Sequence, residues 1–266
     1  MARRGSTIPD KPPATGFEVT VEKRVARLTI HRPPLNVLTI ESCRGLIGAV
    51  HGLAGLDEVG VLVLAGAGKA FSAGVDVGEH RPEQAHDSLH AFHGLCRALF
   101  DFPRPTIARV HGAALGGGCE LVLCCDLAIA GASATLGLPE ITLGVFPPAA
   151  AVLLPRLAGR RAAMEAILWG EALPAEEALR LRLVSEVVPD RRLDARVRER
   201  AARVASLSGV ALRAARKAIR RGAVGPVDDA LRAVEEMYLK EMMRSEDALE
   251  GLDAFLEKRR PVWRQR

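Results

Sequence analysis

TIARVHGAALGGGCELVLCCDLAIAG, residues 106–131, changes its pattern twice within one short stretch. Thr106–Gly112 reads as an apolar strand. The run Gly116-Gly117-Gly118 then opens a helix through Cys124, and Asp126–Gly131 reads as a second strand. Strand, short helix and strand in succession imply an α/β architecture with crossovers. The same reading extends outward. GVLVLAG (60–66) is a continuous apolar run, as a strand covered on both faces requires. FEVTVE (17–22) and VARLTIH (25–31) alternate like two strands of a hairpin, while 41–53 and 83–100 carry helical periodicity. Beyond Pro147 the chain turns largely helical, over 148–158, 160–169, 174–182, 190–206, 208–221 and 226–258, with a strand-like LVSEVV at 183–188. The expected organisation is a disordered, Pro-rich tail (1–16), a core (17–200) and a helical C-terminal region (201–266).

Composition narrows the function classes. The chain has 266 residues, 48% of them hydrophobic and 26% charged, an ordinary globular balance that can bury a large core. The net charge of +5 comes from basic residues interleaved with acids, and aromatics are only 4%. Stacking platforms for nucleic acid are therefore scarce, whereas a small polyanionic ligand suits the mild basic bias. No stretch of eighteen apolar residues is present, so no membrane span is expected. The five cysteines, Cys43, Cys96, Cys119, Cys124 and Cys125, lie in apolar segments without Cys-x-x-Cys spacing. They read as reduced core residues of a cytoplasmic protein.

Two carboxylates stand out. Glu120 follows the triple glycine, and Glu140 sits in Leu138-Pro139-Glu140-Ile141; both have small, apolar sequence neighbours. A carboxylate in such surroundings is costly unless it is partnered or has work to do, and two of them can divide general acid and general base roles. The glycines place helix N–H groups without internal partners beside them. FSAGVD (71–76) offers a second glycine turn. Two unpaired N–H groups converging on one point would make an oxyanion hole; the alternative is that these glycines only permit tight turns.

Taken together, FSAGVD, HGAALGGGCELVLCCDLAIA and LPEITLG, in this order and spacing, resemble the enoyl-CoA hydratase/isomerase (crotonase) family. HRPPLNVLT (31–39) and WGEALPAEEALRLRLVSEVVP (169–189) extend the resemblance. It implies a spiral of ββα units with a helical C-terminal trimerisation region, assembled as trimers or hexamers. It implies an acyl-CoA thioester as substrate, with coenzyme A as part of that substrate and no separate cofactor or metal. The thioester oxygen would lie between the N–H groups of Val75 and Gly117. Ala73, Gly74, Asp76, Gly116, Phe146 and Pro147 would contact substrate. With both glutamates present, Glu120 would act as base on water and Glu140 would deliver a proton to C2. One apparent pKa should then be raised by burial and mutual repulsion. An isomerase using Glu140 alone, or a non-catalytic RNA-binding relative, are the alternatives. One departure concerns the acyl pocket: GVFPPAAA (144–151) replaces a glycine-rich stretch and is similar to that of cyclohexa-1,5-diene-carbonyl-CoA hydratases of aromatic acid degradation.

Other signals carry less. Ala65-Gly66-Ala67-Gly68-Lys69-Ala70 lacks the first glycine and the final Ser or Thr of a phosphate loop. His86, His90 and His93 share a helix face, a spacing open to a metal but better read as a solvated edge or a substrate contact. Arg213, Arg216, Lys217, Arg220 and Arg221 form a basic stripe, read as a solvated face, with contact to the phosphates of coenzyme A as the sharper alternative.

Overall fold

The computed structural model describes residues 15–223 and 225–266. Residues 1–14 of the expected tail lie outside them. Gly16 already joins the fold, its carbonyl accepting from His31 N–H at 2.9 Å. The chain begins with β1 (Phe17–Glu22), β2 (Val25–Ile30), α1 (Ile40–Ala54) and β3 (Val61–Gly66). A 3-10 helix (Val77–His80) precedes α2 (Pro82–Phe100), β4 (Thr106–Val110), β5 (Ala113–Leu115), α3 (Gly117–Cys124), β6 (Leu127–Gly131) and β7 (Thr135–Gly137). A second 3-10 helix (Pro139–Leu143) leads to α4 (Pro148–Ala158), α5 (Arg160–Trp169), β8 (Ala172–Pro174), α6 (Ala175–Arg180) and β9 (Glu186–Val188). Then follow α7 (Asp190–Ala205), α8 (Gly209–Gly222), α9 (Val227–Lys240), a 3-10 turn (Met242–Arg244) and α10 (Glu246–Leu256).

The larger sheet has the order β1-β2-β3-β4-β6-β9, antiparallel at β1–β2 and parallel thereafter. The unbroken apolar run in β3 follows from cover on both faces. Val61 and Val63 pack with Ile107, Ile129 and the Leu193, Val197, Ala201 stripe of α7. Leu62 and Leu64 face the main core with α1 and α2. The smaller sheet, β5-β7-β8, has three-residue strands too short to show a period. Parallel bridges Ser72↔Ala114 and Leu38↔Val75 widen it by two segments.

Two expectations need correction in the C-terminal third. The helix expected over 226–258 is broken between α9 and α10. Ser245 caps the new start, its Oγ accepting from Ala248 N–H at 3.2 Å, with Glu246 and Asp247 in the first turn where the helix dipole favours acids. The basic stripe is not uniformly solvated. Arg216 Nε donates to both oxygens of Asp126 at 2.8 and 2.7 Å, and its Nη2 reaches Phe100 O at 2.7 Å. The Arg220 guanidinium stacks 3.7 Å from the centre of the Phe100 ring. Asp126 also accepts from Thr106 N–H and Oγ1 at 2.9 and 3.0 Å. One carboxylate at the protein surface thus docks α8 onto the start of β4. Asp126→Ala should leave these guanidinium groups and the buried Thr106 N–H and hydroxyl without their acceptor and cost about 1–3 kcal/mol. Chemical denaturation checks this; a loss below about 1 kcal/mol would return the contact to the class of ordinary surface pairs.

Candidate active site

The site is assembled by strand register. β5 and β7 run parallel with Leu115 opposite Gly137, so both strands end at the same level. Gly116 N–H donates to Gly137 O at 2.9 Å, clamping the two exits together. From one exit α3 starts and presents Glu120 in its first turn; from the other, the 3-10 helix starts and presents Glu140. Residues twenty apart in sequence are therefore neighbours across a ladder. Gly116 sits at φ 52°, ψ −126°, a conformation closed to side chains. A methyl added there would lie 2.9 Å from Glu140 Oε1, so the carboxylate rests directly on the bare backbone.

The two carboxylates differ in surroundings. Glu120 is buried, and its Oε1 accepts from Ala150 N–H at 2.8 Å, in the first turn of α4. Pro148 opens that helix without an N–H of its own, which its position tolerates. Burial pushes the Glu120 carboxyl up to about 7, the charge of Glu140 adds to the rise, and the Ala150 and Ala149 amides pull against it. Glu140 is raised as well, chiefly by burial, and His80 opposes that rise. Its Oε2 is buried without a hydrogen-bond partner among the described residues. One carboxyl holding a proton while its neighbour is charged is the state such a pair favours near neutrality.

Opposite them lies the 72–76 loop. Ser72 N–H donates to Ala113 O at 3.1 Å, Ala73 N–H to Leu35 O at 2.8 Å, Gly74 N–H to Ser72 Oγ at 3.1 Å and Asp76 N–H to Leu38 O at 2.8 Å. Of these five consecutive amides, only that of Val75 meets no acceptor among the described residues. Gly117 N–H, at the first position of α3, is likewise free among them. The segments that carry these two groups pack side by side: a methyl on Gly117 would lie 2.7 Å from Val75 Cγ2. A methyl on Gly74, at φ 97°, would lie 3.1 Å from Gly117 N and 2.8 Å from Leu115 O. Two unspent donors beside two carboxyls of raised pKa can hold a carbonyl oxygen that gains negative charge while protons move next to it.

The remaining expected residues are placed less uniformly. Ala73, Gly74 and Gly116 belong to this backbone cradle. The Asp76 carboxylate is turned to Gly78 N–H at 2.8 Å and caps a 3-10 turn. Pro147 is buried at the start of α4, whereas Phe146 is 62% exposed. His86 and His90 stack with ring centres 6.4 Å apart, and His93 Nε2 is buried without a partner among the described residues. Among the described residues, no three His, Cys, Asp or Glu side chains converge as a metal-binding group. All five cysteines are buried and free. The sequence reading missed His80, the Ala150 amide and the contributions of Asn36 and Ser72; no periodicity marks a residue whose value lies in a backbone contact.

Comparison with known proteins gives the family. The family model described as enoyl-CoA hydratase/isomerase matches residues 20–266. The cyclohexa-1,5-dienecarbonyl-CoA hydratase of Thauera aromatica is 37% identical over 241 residues, covering 90% of this chain and 93% of that protein. The 2,3-dehydroadipyl-CoA hydratase of Escherichia coli is 35% identical, covering 93% of this chain and 98% of that protein. The crystal structure of an enoyl-CoA hydratase from Bacillus anthracis superposes with a TM-score of 0.90 at 33% identity, covering 94% of this chain and all of that one. The chain belongs to the enoyl-CoA hydratase/isomerase family, and its α/β core is the crotonase fold expected from the sequence.

Proposed function

We propose that this protein is an acyl-CoA hydratase that adds water reversibly across the double bond of a 2-enoyl- or dienoyl-CoA thioester. The reading is carried by the close packing of the segments that bear two free N–H groups, Val75 and Gly117, beside the carboxyl of Glu140, with Glu120 buried next to it. The thioester oxygen sits between the N–H groups. Glu120 takes a proton from water as its oxygen bonds to C3, and the thioester oxygen carries the resulting enolate charge. Glu140, protonated at the start, gives its proton to C2. The water's OH ends on C3, C2 carries the proton from Glu140, and the water's own proton is left on Glu120; its passage to Glu140, directly or by exchange with solvent, resets the pair for the next turnover. No metal or redox cofactor enters these steps. Isomerisation needs one carboxyl, and hydratase names among the relatives favour the two-carboxyl reaction.

GVFPPAAA and the Thauera relative together support a cyclic dienoyl group as the preferred acyl moiety. No helix of the described residues is long and apolar enough to cross a membrane. Free, buried cysteines support a reducing, cytoplasmic setting. Exposed Leu231, Leu239, Leu252 and Phe255 on α9 and α10 support self-association there, as a trimer or a hexamer of two trimers.

The test is turnover of crotonyl-CoA, a longer 2-enoyl-CoA, a 3-enoyl-CoA and cyclohexa-1,5-diene-1-carbonyl-CoA, read by loss of the conjugated absorbance and by product mass. A mass gain of one water establishes hydration; an unchanged mass with a shifted double bond establishes isomerisation instead. The pH profile provides an independent check. The reaction needs one carboxyl ionised and the other protonated, so kcat/KM should trace a bell, falling at low pH where both hold a proton and at high pH where both are ionised, with limbs that belong to the pair. A profile flat across neutrality would remove both carboxyls from the chemistry.

A further inference from the structure

The Val75 N–H is useful only if it stays aimed, and the segment holding it is a loop. Its direction is set by the peptide that joins Gly74 to Val75. In a trans peptide the C=O and N–H point oppositely. Gly74 O accepts from Leu38 N–H at 2.8 Å, so the Val75 N–H of the same plane is turned away from Leu38 and toward α3. The preceding peptide is fixed by a side chain. Ser72 Oγ accepts from Gly74 N–H at 3.1 Å and donates to Asn36 O at 2.7 Å, and Ser72 is fully buried. Asn36 holds the approach to the loop. It is buried at φ 55°, its Nδ2 lies 2.9, 2.8 and 3.2 Å from the carbonyls of Ala67, Ala70 and Phe71, and its Oδ1 accepts from Arg32 N–H at 2.8 Å. With Ala73 N–H on Leu35 O and Asp76 N–H on Leu38 O, the strip 35–38 acts as the template on which 72–76 is laid.

We propose that Ser72 is a positioning residue for the reaction: its hydroxyl, bridging Gly74 N–H and the Asn36 carbonyl, fixes the peptide planes that aim Val75 N–H at the thioester oxygen. Ser72 touches no substrate atom; it acts through the Gly74–Val75 backbone. The inference rests on the acyl-CoA hydratase reading of the site. It separates Ser72 from a merely buried small residue, because its effect is exerted on the developing enolate more than on substrate binding. Displacing a catalytic group by a fraction of its bond length weakens the transition state while the nucleotide end of the substrate still binds.

The experiment compares wild type with Ser72→Ala in two readouts. The first is steady-state hydration. The second is the absorption of a conjugated arylacryloyl-CoA bound to the protein, since donors on the thioester oxygen polarise the chromophore and move its band to the red. We expect Ser72→Ala to lower kcat by about ten- to a hundredfold with KM changed by less than about threefold, and to shrink the red shift. Ser72→Cys keeps a weaker donor and acceptor of similar size and should fall between the two. If the alanine variant does not fold, the cysteine variant is read alone, and undiminished kcat and red shift there overturn the proposal. So does an alanine variant that folds and matches wild type in both readouts. If bound wild type gives no red shift although the thioester binds, the oxyanion reading itself fails and the positioning role fails with it. A shift present in wild type and reduced in the variants supports both.

Discussion

Glu120→Gln should reduce hydration by about a thousandfold or more while leaving acyl-CoA binding nearly intact, the scale expected when a positioned general base is removed. Glutamine has the same shape and keeps an oxygen to accept from Ala150 N–H, the contact that orients the wild-type side chain. It cannot take a proton from water. The stability change should run the other way. Burial raises the Glu120 carboxyl to about 7 in the folded protein, against 4.5 for an ordinary glutamate. The folded state therefore binds this proton more tightly than the unfolded chain does. That preference stabilises the fold at low pH and is lost as pH rises through about 7. Glutamine never ionises, so the variant should melt at or above the wild-type temperature at alkaline pH. An inactive protein of undiminished stability is the signature of a residue kept for chemistry. If the variant hydrates within about tenfold of wild type, Glu120 is not the base. If it loses both activity and stability, the carboxyl is structural. Movement of a 3-enoyl double bond should survive the substitution, because Glu140 alone suffices for it.

Gly116→Ala should be nearly as damaging, by a different route. The backbone at φ 52°, ψ −126° excludes a side chain, and the added methyl would sit 2.9 Å from Glu140 Oε1. Relief requires Gly116 to turn, which moves Gly117 N–H, or Glu140 to retreat. Either change disables a working group, and losing one such donor typically costs about a hundred- to a thousandfold in rate. The backbone strain adds about 1–3 kcal/mol of destabilisation. Gly159→Ala is the matched control. Gly159 also has positive φ, at 88°, but nothing lies within 4 Å of an added methyl. That variant should lose stability and keep its rate per folded molecule. Equal kinetic losses in the two would mean that Gly116 matters only as a turn.

The long elements were legible because burial repeats along them. β3 is apolar throughout since both its faces are covered, and α7 shows Leu193, Val197 and Ala201 at four-residue steps on the face that covers one of them. Glu120 and Glu140 were legible for the opposite reason, as acids breaking an apolar context. β5, β7 and β8 were not, since three residues cannot display alternation. Their loss from the sequence reading hid why the glutamates meet. Ser72 and Asn36 were silent because their hydrogen bonds join segments about thirty-five residues apart through main-chain atoms. The break after α9 did carry a sign, Ser245 followed by two acids, which a helical reading of 226–258 overran. Arg216 and Arg220 resembled a solvent face because the carboxylate they reach, Asp126, is about ninety positions away.

The short ladder between β5 and β7 has a consequence for how such a protein can change. The gap between its two acids is measured across neighbouring strands, about 4.8 Å apart in any sheet, rather than along the chain that joins them. Everything between Leu115 and Thr135 apart from the opening turn of α3 is, for the chemistry, an excursion. Residues added at the exposed turn Ala132–Ser133 lengthen the excursion without altering where it ends. The stretch proposed to set acyl specificity lies elsewhere, after Glu140. Substrate range and catalytic spacing are thereby separately adjustable, and one can drift through many sequences while the other stays fixed.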